Sequence, residues 1–253
     1  MYYRRRILLG IIEKSGGKFS RAELEKLLFL FCKMSGENYY DFFPCKSGCY
    51  SYISYQDFGK LVKDGYLQED DRGKITIIKS EDWNKLKKTD QTTIYELIQK
   101  TRDSRLNDLI SMIYEAYPYY ASRSENLAEI LGEEKAALLK SRYKVNNEPC
   151  LIGKGYEGIT IDRYLSDLIS ESIQLVIDVR KNPVSMKYNF NKQSLSTKLA
   201  KAGISYINIP ALGIPSEFRK KVNNDNDYPA VSVKLDNKIT RWKFAIKYSM
   251  EVY

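Results

Sequence analysis

The chain has 253 residues, of which 43% are hydrophobic, and carries 41 Lys/Arg against 32 Asp/Glu for a formal net charge of +9. It contains no histidine, which excludes Ser-His-Asp and Cys-His nucleophile activation, histidine metal ligation and a histidine general base. Length and composition suit one large or two small folded domains, and no apolar run approaches the roughly 20 residues a membrane helix needs.

No membrane contact is therefore expected. The basic start Met-Tyr-Tyr-Arg-Arg-Arg is followed by an apolar run, Ile7 to Ile12, too short for a secretory core, so the expected location is the cytoplasm. Cys32, Cys45, Cys49 and Cys150 fit that compartment. Only Cys45 and Cys49 are close, at an untidy spacing for zinc, so they read as ordinary thiols, and neither a metal nor a cofactor is expected. Residues 1–148 hold 25 Lys/Arg and 22 Asp/Glu, whereas 149–253 hold 16 and 10. Basic charge with 21 tyrosines suits a polyanionic partner such as nucleic acid, and suits plain solubility equally well.

Tyr3 to Glu13 has the apolar spacing of a helix at Ile7, Leu8, Ile11 and Ile12. Ser20 with Glu23 reads as a capping box opening a second helix, whose buried stripe is Leu24, Leu27, Leu28, Leu30 and Phe31. An aromatic, turn-rich insert from Tyr39 to Gly48 precedes a third helix, about Ser51 to Asp64, which closes on Gly65. Tyr66 to Glu69, Asp70 to Gly73 and Lys74 to Ile78 then read as strand, turn and strand. Three helices and a hairpin in that order are winged-helix-like. The stretch Asp57 to Leu67 resembles the junction between recognition helix and wing in bacterial winged-helix proteins. This reading turns Tyr52, Tyr55, Gln56 and Lys60 toward a DNA groove. The alternative is a docking module for a protein partner, since the third helix holds fewer Arg and Lys than recognition helices usually do.

Helical patterns continue from about Thr92 to Arg142, with a break at Pro118 and a further helix opening at Ser124 and running through Leu139. Tyr114, Tyr117, Tyr119 and Tyr120 read as packing. Lys144 to Pro149 reads as a linker.

From Cys150 the pattern alternates between strand and helix. Cys150 to Ile152, Leu175 to Val179 and Ile204 to Ile209 read as strands; Thr160 to Ser170 and Lys192 to Ala202 read as helices. The second strand is almost continuously apolar, as when both faces are covered. The expected fold is α/β plus α+β: a winged-helix-like domain over 1–88, a helical connector over 89–148, and an open parallel-sheet, Rossmann-like domain over 149–253.

Ligands of open α/β sheets bind beyond the carboxyl ends of the strands. Those ends hold Gly153, Gly155, Tyr156, Glu157 and Gly158; then Asp178, Arg180 and Pro183, with Ser185 and Lys187 following; and Pro210 to Gly213. The glycines let a backbone approach a phosphate, although a literal Gly-x-Gly-x-x-Gly match is weak support for a dinucleotide. Asp178 and Arg180 lie two apart, so a strand points both side chains one way. They either lock each other or share a ligand, and an arginine there suits bidentate phosphate or carboxylate recognition.

Gly155-Tyr156-Glu157-Gly158, Asp178-Val179-Arg180-Lys181-Asn182-Pro183, Ser185, Lys187, Phe190, Gly203-Ile204-Ser205-Tyr206 and Pro210-Ala211-Leu212-Gly213 together resemble the motifs of the family called domain of unknown function 488, over about Cys150 to Lys221. The resemblance implies a prokaryotic α/β domain with no assigned reaction, at times joined to DNA-related domains, with motif positions at Tyr156, Glu157, Asp178, Arg180, Pro183 and Ser185. It also implies a later strand with a Cys-His-Arg-like motif, which a chain without histidine lacks; either the domain is incomplete or its crevice only binds. Lys154 and Met186 depart from the residues usual there.

The expected function is nucleic-acid association, in regulation or mobile-element defence by analogy, with a phosphate-bearing, nucleotide-like ligand held by Arg180, Lys187 and the Gly153–Gly158 loop. If the crevice is catalytic, Glu157 or Asp178 is the acid/base and Arg180 the anion clamp. The alternative is a non-catalytic protein-interaction module.

Overall fold

The computed structural model describes residues 1–17, 19–142, 151–184, 187 and 189–213. They fall into two compact units, one built from 1–142 with 162–169 and the other from 151–161 with 170–213.

The first unit opens with α1 (Tyr3–Ser15) and α2 (Arg21–Ser35). The capping box expected at the start of α2 is present: the Ser20 Oγ accepts from the Glu23 amide, and the Glu23 carboxylate accepts from the Ser20 amide. The aromatic insert holds a hairpin not expected from its turn-rich composition, β1 (Phe43–Cys45) and β2 (Gly48–Tyr50), paired antiparallel. Then come α3 (Tyr52–Lys63) and a second hairpin, β3 (Leu67–Glu69) with β4 (Ile75–Ile77). Next are α4 (Lys88–Thr101), α5 (Leu106–Ala116), α6 (Leu127–Leu131) and α7 (Glu133–Arg142). The single helix expected from Ser124 through Leu139 is divided at Gly132, whose φ of 83° and ψ of 158° only glycine adopts without strain.

One continuous core runs from Ile7 and Leu27 through Leu97 and Ile113 to Leu139, so α4 to α7 share it with α1 and α2. The tyrosine cluster is part of it. Tyr114 is fully buried, and the Tyr117 and Tyr120 rings meet Phe29 edge-on at 5.4 and 4.6 Å. Cys32 and Cys49 are buried, which pushes both thiols up to about 12.

The fragment 162–169 belongs to α8 (Ile161–Ser170). Tyr119 Oη donates to the Ser166 carbonyl at 2.7 Å and helps fix that helix in the first unit.

In the second unit, β5 (Leu175–Asp178), α9 (Lys192–Lys201) and β6 (Ser205–Asn208) form a parallel pair with its crossover helix, in the register Leu175 to Ser205 through Asp178 to Asn208. A parallel pair cannot be closed by a tight turn, which is why a helix intervenes. Two expectations fail here. Leu151 and Ile152 form no strand, and Cys150 lies outside the described residues. Leu175 is 43% exposed, so an unbroken apolar run did not mean a strand covered on both faces. The linker expected over Lys144 to Pro149 also lies outside the described residues. No helix among the described residues is long and apolar enough to cross a membrane.

Candidate functional site

The carboxyl ends of β5 and β6 place Asp178 beside Asn208. Asp178 ends its strand by local competition: its Oδ1 accepts from the Arg180 amide at 3.0 Å, which draws the chain out of the ladder. Arg180 thus lies past the strand rather than two places along it. Its side chain folds back instead, donating from Nε to both carboxylate oxygens at 2.9 and 3.1 Å and from Nη2 to Oδ2 at 2.6 Å. Nη1 donates to the Phe190 carbonyl at 2.8 Å and reaches Tyr156 Oη at a long 3.5 Å. Tyr206 Oη donates to Asp178 Oδ2 at 2.7 Å, and Asn208 Nδ2 donates to the carbonyls of Asp178 and Arg180.

The Tyr156 ring stacks on Phe190, centroids 4.6 Å apart and 16° from parallel, with the Arg180 guanidinium 5.3 Å from the Tyr156 centroid. Lys187 Nζ donates to the Tyr156 carbonyl at 2.7 Å and lies 5.2 Å from the Phe190 centroid. Two cations and two stacked rings therefore meet above one buried carboxylate.

Burial would raise the Asp178 carboxyl, but hydrogen bonds from Arg180 and Tyr206, with the Arg180 charge, hold it below the usual range. Burial would weaken the Arg180 cation, but Asp178 raises it further still. Burial and the bond to Asp178 push the Tyr206 phenol up. Both oxygens of Asp178 are taken, so this carboxylate is a fixed anion. Tyr206 also interacts with the Arg180 guanidinium, whose side chain is 19% exposed.

Asp178, Arg180, Lys187 and Phe190 of this cluster lie within a stretch that matches a known family, and Tyr156 lies just before it. Residues 160–242 match the family model described as domain of unknown function DUF488. The C-terminal part of the chain carries a DUF488 domain. Among curated proteins and among solved structures, none matches the chain.

The structure brings the expected Tyr156, Asp178, Arg180 and Lys187 into one cluster and adds Phe190. Of the other expected residues, Gly153 and Gly155 are half-buried in the irregular segment leading to Tyr156, Gly158 turns at φ 70°, and Glu157 is exposed with no ion pair among the described residues. The Pro183 carbonyl accepts from the Lys192 amide at 3.0 Å, so this proline anchors the start of α9. Ser185 lies outside the described residues. Sequence reasoning missed Tyr206 and Asn208, and also Lys192, whose Nζ donates to Asn208 Oδ1 at 3.2 Å. The signal for the first two was their spacing of two at the end of a strand-like run, which sends both to one face.

The Pro210-Ala-Leu-Gly turn explains its own glycine. A Cβ on Gly213 would sit 2.1 Å from the Val179 carbonyl oxygen, on the backbone that delivers Arg180. Gly213→Ala is expected to destabilise this unit by about 2 kcal/mol, read as a lowered urea midpoint with unchanged m-value.

In the first unit, the α3 residues expected to face DNA are largely engaged. Tyr52 stacks on Phe43 (5.6 Å, 24°), and the Arg21 guanidinium lies 3.5 Å from the Tyr55 centroid. Gln56 is half-buried, and exposed Lys60 pairs with Asp64 one turn on. A further residue was missed. Asp162, from the first helix of the DUF488 match, is buried and caps α3: it accepts from the Ser51 hydroxyl (2.8 Å) and the amides of Tyr52 (2.7 Å) and Ile53 (3.0 Å). Sequence alone reads it as a first-turn acid serving its own helix.

Proposed function

We propose that the DUF488 domain binds a phosphate-bearing ligand, a nucleotide or the phosphate of a nucleic acid, at the carboxyl ends of β5 and β6. The observation that carries this is the preset Arg180, held by Asp178 beside the Tyr156–Phe190 stack and next to Lys187. A guanidinium already oriented loses little freedom on meeting a phosphate, and the half-buried Tyr156 ring, backed by buried Phe190, suits a base. Lys192 adds a third cation at the edge. Asp178 is assigned to holding Arg180; Glu157 is the carboxylate left to act as acid or base, should a reaction accompany binding.

The order α1, α2, α3, β3–β4 supports a winged-helix-like module ahead of this domain. The Lys60–Asp64 pair and the half-exposed Tyr55 favour the second reading for its α3 face, a docking surface for a protein partner, because that face neutralises its charge locally while offering aromatic surface. By analogy with proteins that join such domains to DNA-related modules, its place is in regulation or mobile-element defence.

Calorimetric titration with adenosine 5′-monophosphate and with adenosine tests the phosphate claim. The nucleotide is expected to bind at least about tenfold more tightly, and Lys187→Met to remove about 1.5 kcal/mol of that preference. Equal binding of the two compounds, or an unaffected Lys187→Met, would remove the phosphate from the reading.

A further inference from the structure

The first unit contains a cavity of about 340 Å³ between α2, α3 and α5 that the crevice of the DUF488 domain does not explain. It is open to solvent rather than sealed, and small-ligand pockets begin at roughly 300 Å³. Its inner wall is apolar, formed by Leu24, Leu28, Phe58 and Ile110, all buried. Exposed Ala22 and Ser47 mark the mouth.

Three charged side chains reach this wall, which is unusual for an apolar space. Glu25 and Lys26 neutralise each other at 3.1 Å; the Glu25 carboxylate also accepts from the Ser51 amide, and Lys26 Nζ donates to the Cys49 carbonyl at 2.6 Å. Burial raises the Glu25 carboxyl, against the pull of Lys26. Arg21 is the third. Its guanidinium lies between the Tyr55 and Phe58 rings, 3.5 and 4.4 Å from their centroids, and donates to the Tyr55 carbonyl. Its ion pair with Glu69 is long at 3.5 Å, and its buried Nε has no acceptor among the described residues. With Glu25 and Lys26 cancelling, the wall carries one under-neutralised cation beside an apolar space.

We infer that this cavity binds a hydrophobic monocarboxylate about the size of a substituted benzene, its apolar body against Leu24, Leu28 and Ile110 and its carboxylate at Arg21. A neutral molecule of the same shape leaves Arg21 with its long Glu69 pair alone; a dication or a large polyanion fits neither the wall nor the volume.

The probes are 4-propylbenzoate and its neutral amide, titrated into the full chain by calorimetry. The benzoate is expected to bind saturably, with affinity at least about tenfold weaker for the amide and for Arg21→Met. Ala22→Trp, a change at an exposed mouth position, is expected to abolish binding while leaving the circular dichroism spectrum unchanged. Nuclear Overhauser contacts from the benzoate to the Leu24 and Leu28 methyls are expected in the unaltered protein and need no variant. Absence of benzoate binding up to about 5 mM, amide binding of equal strength, persistence in a folded Ala22→Trp, or contacts to other methyls alone would each overturn the inference.

Discussion

Raising the pH from about 5.5 to about 8 is expected to destabilise the first unit by roughly 2 kcal/mol, and Asp162→Asn is expected to abolish most of that dependence. Burial pushes the Asp162 carboxyl up to about 7, against three hydrogen bonds that favour its charged form. The sign follows from the direction. The folded state holds a proton that the unfolded state releases near 3.8, so the stabilisation is complete below that value and is lost as pH rises through about 7. The chain has no histidine to blur this window. Glu25, also raised by burial, and Asp41, whose charge adds to the Asp162 shift, are the neighbouring carboxyls to control. Asparagine keeps one oxygen, for the Tyr52 amide or for the Ile53 amide and Ser51 hydroxyl, and carries no charge to desolvate, so the variant should lose part of the cap at every pH while its stability stays flat from pH 5.5 to 8. Asp162→Ala should instead lose about 2 kcal/mol or more at every pH, because three donors at the start of α3, the Ser51 hydroxyl and the Tyr52 and Ile53 amides, are left without an acceptor. Urea unfolding across the pH series checks both. A parent whose stability is flat between pH 5.5 and 8 contradicts the assignment.

Removing Arg180 is expected to be the most damaging single change in the second unit. Arg180→Met leaves the Asp178 carboxylate, only 5% exposed, with Tyr206 and one backbone amide as donors. Breaking a fully buried pair costs roughly 3–5 kcal/mol; with Arg180 19% exposed, about 2–3 kcal/mol is expected. Asp178→Asn should cost a similar amount, and the double variant clearly less than the sum, since the two act as one unit. The acid limb has the opposite sign to that of Asp162. The folded carboxyl of Asp178 is depressed, so its stabilisation is present above the ordinary carboxylate value near 3.8 and is lost as pH falls below it. Full additivity in the double variant would mean that the pair is no lock.

Local chemistry was legible where the chain writes it locally. The Ser20–Glu23 capping box, the apolar stripes of α1 and α2, the β3–β4 hairpin around Gly73 and the crossover helix α9 with Gly203 at φ 68° all follow from spacing and turn residues. Of the residues expected around the crevice, Tyr156, Asp178, Arg180 and Lys187 do meet, whereas exposed Glu157 does not join them. Long-range matters were hidden. The Asp162 carboxylate caps a helix more than a hundred positions earlier, and nothing in Ile161-Asp162-Arg163 announces it. The apolar run Leu175 to Ile177 reads alike whether one face or both are covered, and only packing separates the cases. The β1–β2 hairpin was masked by Pro44, tolerated in a short two-stranded pair with a free edge.

The Arg180 Nε–H resonance, assigned by its loss in Arg180→Lys, reports the clamp and its ligand together. Before ligand is added, Asp178 should protect this proton from exchange with water; adenosine 5′-monophosphate should then shift it saturably, and adenosine should not. A proton that exchanges as freely as those of exposed arginines, or a signal that stays in place through the nucleotide titration, would contradict a preset arginine waiting for phosphate.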